Sequence, residues 1–221
     1  LYQVATAGLS PADIAVPIRN IFRSQQNLKV VLDELIKINP DLNQITTKNN
    51  TYIYDFLVIA TGSEPSYFGH DQWKNFSPSL KNIEDAISIR AKILKAFEKA
   101  ERVKNKNELE KLMKFVLIGG GHTGVEMAGA IAELSKKVLT KEFTTIDTRT
   151  AKIILLEAGP NILSTALHSL SIYAKKTLEK LGVTVKWNTA VKNISEGLVK
   201  NTNATIKAEK ILWEATGKGN A

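Results

Sequence analysis

The chain contains no cysteine in its 221 residues, which excludes a disulfide framework, a thiolate zinc site and a dithiol redox pair within it. No apolar run approaches the ~20 residues that a helix needs to cross a bilayer. Histidine is scarce, with His70, His122 and His168 the three present. Their spacing matches neither a metal site nor a catalytic triad, so each is expected to be solvated or packed, and no metal is expected. Arginine-rich arms, aromatic stacking sets and zinc-finger spacings are also missing, so no nucleic acid is expected as partner. That holds even though 30 Lys+Arg outweigh 22 Asp+Glu and set the net charge at +8. The lysines alternate with glutamates and apolar positions, which reads as solvated surface first and attraction to an anionic membrane second. Residues 1–53 hold no glycine-rich phosphate loop, and Leu1 opens a structured-looking stretch. The chain is therefore expected to be an internal fragment of a longer protein.

With 43% hydrophobic and 24% charged residues, the composition is that of a globular protein able to bury a core. "GLSPADIAVPIRNIFR" predicts a helix capped at Ser10-Pro11. "LKVVLDELIKIN" (28–39) and "QITTKNNTYIYDFLVIATG" (44–62) read as strands separated by Asn-rich turns. Tyr67, Trp73 and Phe76 mark residues 63–81 as a linker that packs against something. A helix follows, with Ile83, Ile87, Leu94 and Phe97 predicted on its buried face.

A compact alternation comes next: apolar strand "KFVLIGGG", helix, strand "AKIILLEA", helix stopped at Gly182, strand "VTVKW". Continuous apolar strands alternating with helices predict an α/β, Rossmann-like domain with a parallel sheet covered on both faces by helices. Residues 190–212 add a small antiparallel excursion before a last strand, "KILWEATG". An offset of 155 positions lays Ala215-Thr216-Gly217 over Ala60-Thr61-Gly62, and "VTVKWNTAVKNI" over "LKVVLDELIKIN". This reads as a duplicated dinucleotide-binding unit whose first copy lacks its front end; two unrelated stretches are the plainer alternative.

"FVLIGGGHTGVE" carries G-x-G-x-x-G as Gly119, Gly121 and Gly124, preceded by a buried strand and followed by a small-residue helix. Gly119 serves the tight turn, Gly121 lets backbone approach a pyrophosphate, and Gly124 lets the helix sit close to the strand. Gly119, Gly120, Gly121, His122, Thr123 and Gly124 together form the expected phosphate-binding loop at a helix N-terminus. Glu157 ends the second strand, where an acid can bind both adenosine ribose hydroxyls and favour NAD(H) over NADP(H). It lies 38 positions after Gly119, beyond the usual ~20, because "KKVLTKEFTTIDTRTA" extends the crossover. Val191 is assigned to the same cofactor site. Glu126 is read either as stabilised by the first turn of the helix or as facing the nicotinamide.

Taken together, "LYQVATAGLSPADIAVPIR", "YDFLVIATGSEP", "FVLIGGGHTGVEMAGAIAEL", "FTTIDTRTAKIILLEAGPNIL" and "AKKTLEKLGVTV" resemble type II NADH dehydrogenase, the single-subunit NADH:quinone oxidoreductase family. The resemblance implies a glutathione-reductase-like architecture, with an NAD domain inserted into an FAD domain. Residues 1–80 would be an incomplete FAD-binding domain and linker, 81–217 the NAD(H)-binding domain, and 218–221 the start of the return to the FAD domain. It implies that Glu126 is the catalytic-site glutamate near the flavin–nicotinamide contact, and Glu157 the adenosine-ribose acid. Ala60, Thr61 and Gly62 would lie along FAD, Thr6 near the isoalloxazine, and Gly217 beside the nicotinamide half of NADH. Hydride would pass from NADH to FAD and electrons on to a membrane quinone, with the chemistry carried by the cofactors.

The implied partners are NADH, a membrane quinone, an anionic membrane surface met through a segment absent here, and a second copy in a homodimer. The implied location is peripheral, at a bacterial cytoplasmic membrane face or the mitochondrial inner membrane. The sequence departs from the family pattern in lacking the first flavin loop, and in placing Glu214 where the family has a small apolar residue. A soluble ferredoxin-reductase-like flavoenzyme shares the fold, and a non-catalytic NADH-binding or sensor module is the alternative from another class. A flavin-dependent disulfide reductase is disfavoured by the missing cysteine pair.

Overall fold

The computed structural model describes residues 1–215, together with the backbone of Gly217–Gly219. The chain divides into two compact units, one made of Leu1–Ile14 with the described chain from Ser63 onward, the other of Ala15–Gly62. Thr216 of the sequence repeat and the last two residues lie outside the described residues.

The predicted first helix breaks up. Helix α1 is Tyr2–Ala5, α2 is Pro11–Ile14 and α3 is Ile18–Ile21. Pro17 is extended at the N-cap of α3, and a proline drives the residue before it out of helical geometry.

The smaller unit is an antiparallel meander of β1 (Leu35–Asn39), β2 (Gln44–Thr47) and β3 (Thr51–Ile53). Asp33 ties its turn: its carboxylate accepts from the Thr47 hydroxyl at 2.8 Å and the Asn49 amide at 2.9 Å. Residues 28–34 and 54–62, predicted as strands, form none. Strand propensity expresses packing on neighbours, and these runs pair with no strand among the described residues. Phe56 is 93% exposed and Val58 86%.

In the larger unit, β4 (Ser63–Pro65) leads through the aromatic segment to α4 (Ile83–Arg102), α5 (Lys106–Leu112) and β5 (Lys114–Ile118). Asn82 and Asp85 cap α4 reciprocally: the Asp85 N–H donates to the Asn82 side chain at 2.7 Å and the Asn82 N–H to the Asp85 carboxylate at 3.1 Å. Then follow α6 (His122–Glu133), β6 (Lys152–Leu156), α7 (His168–Lys180) and β7 (Val183–Lys186). A second meander of β8 (Val191–Ser195), β9 (Leu198–Asn201) and β10 (Thr205–Lys207) precedes β11 (Lys210–Trp213) and β12 (Gly217–Gly219).

The parallel sheet runs in the order β11-β5-β6-β7. Alternation decides what covers it. Phe115, Leu117, Ile153, Leu155 and Leu212 join the core under α1, α4, α6 and α7. Val116, Ile118, Leu156, Ile211 and Trp213 form a second core with Tyr67, Trp73, Ile194 and Val199. The second face is thus covered by the meander and the aromatic segment, in place of the helices predicted there. The return from β7 to β11 crosses that face and is spent in the meander.

The two meanders bear out the 155-position repeat. Ile38 pairs with Ile45 and Asn39 with Gln44; at the same offset, Asn193 pairs with Lys200 and Ile194 with Val199. The second hairpins differ: Ile45 faces Tyr52, whereas Lys200 faces Thr205. The turns are equally long, closed by Thr47 on Asn50 and by Asn201 on Ala204, but the second begins one position earlier and so resets the register. Strand β12 pairs antiparallel with β4, Gly217 opposite Pro65.

Helix α4 buries Ala86, Ile89, Ile93, Ala96, Phe97 and Ala100, while Ile87, predicted to face inward, is exposed. Phe97 stacks on Phe115 with ring centroids 5.4 Å apart. Urea unfolding should show Phe97→Ala losing about 3–5 kcal/mol, whereas Ile87→Ala stays within about 0.5 kcal/mol of the parent. Equal losses at the two positions would contradict this packing.

Candidate functional site

Strand β11 lies on the opposite side of β5 from β6, so the strand order reverses between β11 and β5. Ligands of open α/β sheets bind in the crevice at the carboxyl ends of such a switch point. Ile118, Leu156 and Trp213, the three strand ends that meet here, line a cleft of about 460 Å³.

The glycines divide by what surrounds them. Gly119 has φ +112°, and a Cβ there would come within 2.5 Å of the Glu214 and Ala215 backbone. A Cβ on Gly124 would strike the carbonyl of Gly119, and one on Gly120 would lie 2.7 Å from Ile162 and 2.9 Å from the Glu157 carboxylate. Gly121 alone of the four faces open space: nothing lies within 4 Å of its virtual Cβ. It is the extended N-cap of α6, with φ −72°, and no side chain caps that helix. Its first-turn N–H groups are available to an anion. His122 and Thr123 open the helix.

Glu157 holds this loop. The Gly120 N–H donates to one carboxylate oxygen and the Gly159 N–H to the other, both at 2.6 Å. Each oxygen retains a further lone pair, and Glu157 lines the cleft. Val191 opens β8 on the same cleft, beside Thr189 and Ala190.

The opposite wall is aromatic. Trp213 stacks on Tyr67 at 5.2 Å, Trp73 approaches Trp213 at 5.5 Å, and His70 lies flat on Trp73 at 4.2 Å. The Trp213 indole donates to the Ser66 carbonyl at 2.8 Å, and the Tyr67 hydroxyl to the Ser77 carbonyl at 2.9 Å. Burial, reinforced by the charges of Glu214, Asp85 and Asp71, pushes the Tyr67 hydroxyl up to about 12. Sequence reasoning read this segment as packing and missed that Phe68, His70 and Trp73 line the cleft. The signal available was the aromatic spacing itself.

Glu214 follows β11, its N–H donating to the Ile118 carbonyl at 2.7 Å. Its side chain is buried, and Oε1 has no hydrogen-bond partner among the described residues. Burial pushes the carboxyl up to about 8; the Leu80 N–H and Lys81 oppose that shift, while Asp85 adds to it.

Other expected site residues lie elsewhere. Glu126 is exposed and sits just beyond the first turn of α6, which holds no acid, so it is not the first-turn residue the sequence predicted. Thr6 is buried at the end of α1, its hydroxyl donating to the Tyr2 carbonyl at 2.8 Å. In the smaller unit, Ala60 and Thr61 line an open pocket with Leu57 and Val58, and Gly62 has φ +75°. Gly217 is the β12 residue opposite Pro65. Among the described residues no cluster of His, Cys, Asp or Glu could hold a metal ion.

The profile of the family described as pyridine nucleotide-disulphide oxidoreductase matches residues 1–219. The chain belongs to this family. Type II NADH:quinone oxidoreductase Ndh of Mycobacterium tuberculosis is 38% identical over 213 residues, which is 94% of this chain and 46% of the relative. NdhA of the same organism is 41% identical over 195 residues, 86% of this chain and 42% of the relative. The structure of NDH2 from Plasmodium falciparum in complex with NADH superposes with TM-score 0.85 at 23% identity, over 99% of this chain and 47% of that one. The family resemblance read from the sequence is borne out, as is the fold apart from the cover of the sheet's second face. The chain spans about half the length of the curated relatives it matches.

The glycine geometry separates two variants. Gly121→Ala should leave unfolding stability within about 0.5 kcal/mol, because nothing lies within 4 Å of its virtual Cβ. Gly124→Ala should cost about 1–3 kcal/mol of stability, since backbone must move. A Gly124→Ala chain as stable as the parent would contradict the packing described.

Proposed function

We propose that this chain supplies the NADH-binding part of an FAD-dependent NADH dehydrogenase that passes hydride from NADH to FAD and electrons on to a membrane quinone. The observation that carries this is the switch-point cleft, in which Gly121 leaves space at a helix N-terminus and Glu157 stands at the end of the next strand. The similarity to the two mycobacterial NADH:quinone oxidoreductases supports the reading.

The roles follow from charge and space. The diphosphate of NADH lies over Gly121, where N–H groups and the α6 dipole favour anions. Glu157 accepts from the adenosine ribose hydroxyls and repels a 2′-phosphate. Val191 packs against the adenosine, and Gly217 and Glu126 lie toward the nicotinamide end. Thr6, Ala60, Thr61 and Gly62 belong to the FAD side. The open pocket at Ala60 and Thr61, beside the exposed apolar run Phe56, Val58 and Ile59, fits a large cofactor. FAD, when bound, supplies the two-electron acceptor.

Residues 1–80 then belong to the FAD domain and linker, 81–217 to the NADH domain, and 218–221 begin the return. No helix among the described residues is long and apolar enough to cross a membrane. A peripheral position at a bacterial or mitochondrial inner membrane, reached through another segment and shared by two copies, completes the proposal. The excess of Lys+Arg supports attraction to anionic lipid.

In calorimetry this chain should bind NADH at least about tenfold more tightly than NADPH, with Glu157→Gln narrowing the gap. The longer protein should lose its oxidised-flavin absorbance on addition of NADH and regain it with a short-chain quinone. Equal affinity for both nucleotides would remove the role of Glu157. A flavin that NADH cannot reduce would favour a non-catalytic NADH module.

A further inference from the structure

The buried carboxyl of Glu214 has no part in the proposed reaction, yet Glu214 belongs to the lining of the same cleft. Its backbone touches the Gly119 position, and its Cβ is 3.5 Å from where a Cβ of Gly124 would sit. It therefore packs against the glycine turn and the first turn of α6, and it lines the cleft. The residue is 9% exposed, and Oε1 meets no partner among the described residues. A buried polar atom left unsatisfied costs about 1–3 kcal/mol, so an orphan at a ligand cleft points to a group that the ligand completes.

An ionised carboxylate here would repel a diphosphate, whereas a neutral carboxyl can donate its O–H to a phosphate oxygen. We propose that Glu214 is a specificity-determining residue that, as a neutral acid, donates a hydrogen bond to the diphosphate bridge of bound NADH and so makes binding proton-linked. This rests on the NADH-binding reading above.

The surroundings keep the proton in place. The groups that face Glu214 are the Leu80 N–H and Lys81, which favour the anion, and Asp85 and the Tyr67 hydroxyl, which do not supply a compensating positive charge. Burial outweighs the first two and holds the carboxyl at about 8. A bound diphosphate adds negative charge and raises it further, so NADH binding takes up a proton at mildly alkaline pH and none near neutrality. The free chain shows the same sign. The folded carboxyl titrates above its ordinary 4.5, so its contribution to stability is complete at low pH and is lost as pH rises through about 8.

The test is NADH affinity of the chain from about pH 6 to 10, for the parent, Glu214→Gln and Glu214→Ala. The parent should bind evenly up to about pH 8 and then lose about tenfold per pH unit. Glu214→Gln, which keeps a donor without a titrating proton, should bind within a few-fold of the parent near neutrality and show no alkaline loss. Glu214→Ala should bind several-fold more weakly and with a flat profile.

Calorimetry of the parent in two buffers of unlike ionisation enthalpy reads the proton directly and needs no variant. It should show fractional proton uptake per NADH above about pH 8 and none near pH 6. Parent binding that is flat to pH 10, or an alkaline loss retained by Glu214→Gln, overturns the proposal while leaving NADH binding intact. Absence of NADH binding at every pH overturns both this proposal and the function on which it rests.

Discussion

At the carboxyl end of β5, three stretches of backbone pack closer than side chains permit. Gly119 turns with positive φ directly against the Glu214–Ala215 peptide, and α6 begins so near that turn that Gly124 has no room for a Cβ. This contact joins β11 to the first helix of the βαβ unit and fixes the cleft between them. Everything else at the site is referenced to it. The Glu157 carboxylate pins Gly120, the aromatic wall hangs on Trp213, and Gly121 is the one glycine of the loop left with open space.

The core explains how so tight a junction is held. Residues of β5 and β6 alternate between a helical layer and a meander layer, so neither face can slip by one residue without reversing its burial. Tyr67, Trp73 and Trp213 form a ring cluster whose polar ends are bonded to carbonyls or to Asn193. That satisfies the amphipathic groups which make buried aromatics costly. The linker thereby becomes part of the sheet's second cover.

Much of this was legible in the sequence. The roles of Gly119, Gly121 and Gly124 follow from a motif whose steric logic is local, and the parallel strands announce themselves as short apolar runs. The meander repeat was also visible, down to the register of its first hairpin. What failed was set by tertiary context. Residues 54–62 have strand composition but form no strand, pairing with none among the described residues, and Ile87 fits the helical period yet points outward because Ala86 and Ile89 centre the buried face. The cover of the second face, the aromatic wall and the orphaned Glu214 depend on where distant segments meet. Trp73 reaches Asn193 across 120 positions of sequence, a separation no local pattern encodes.

The central claim is that a dinucleotide occupies the switch-point cleft through the Gly119–Gly124 loop and Glu157. Hydrogen exchange of the chain with and without NADH tests it most directly. The account predicts slowed exchange at residues 119–124, 157–159 and 189–191, with no change in the meander of residues 35–53. Protection confined to the meander, or none at the glycine loop at saturating NADH, would contradict it.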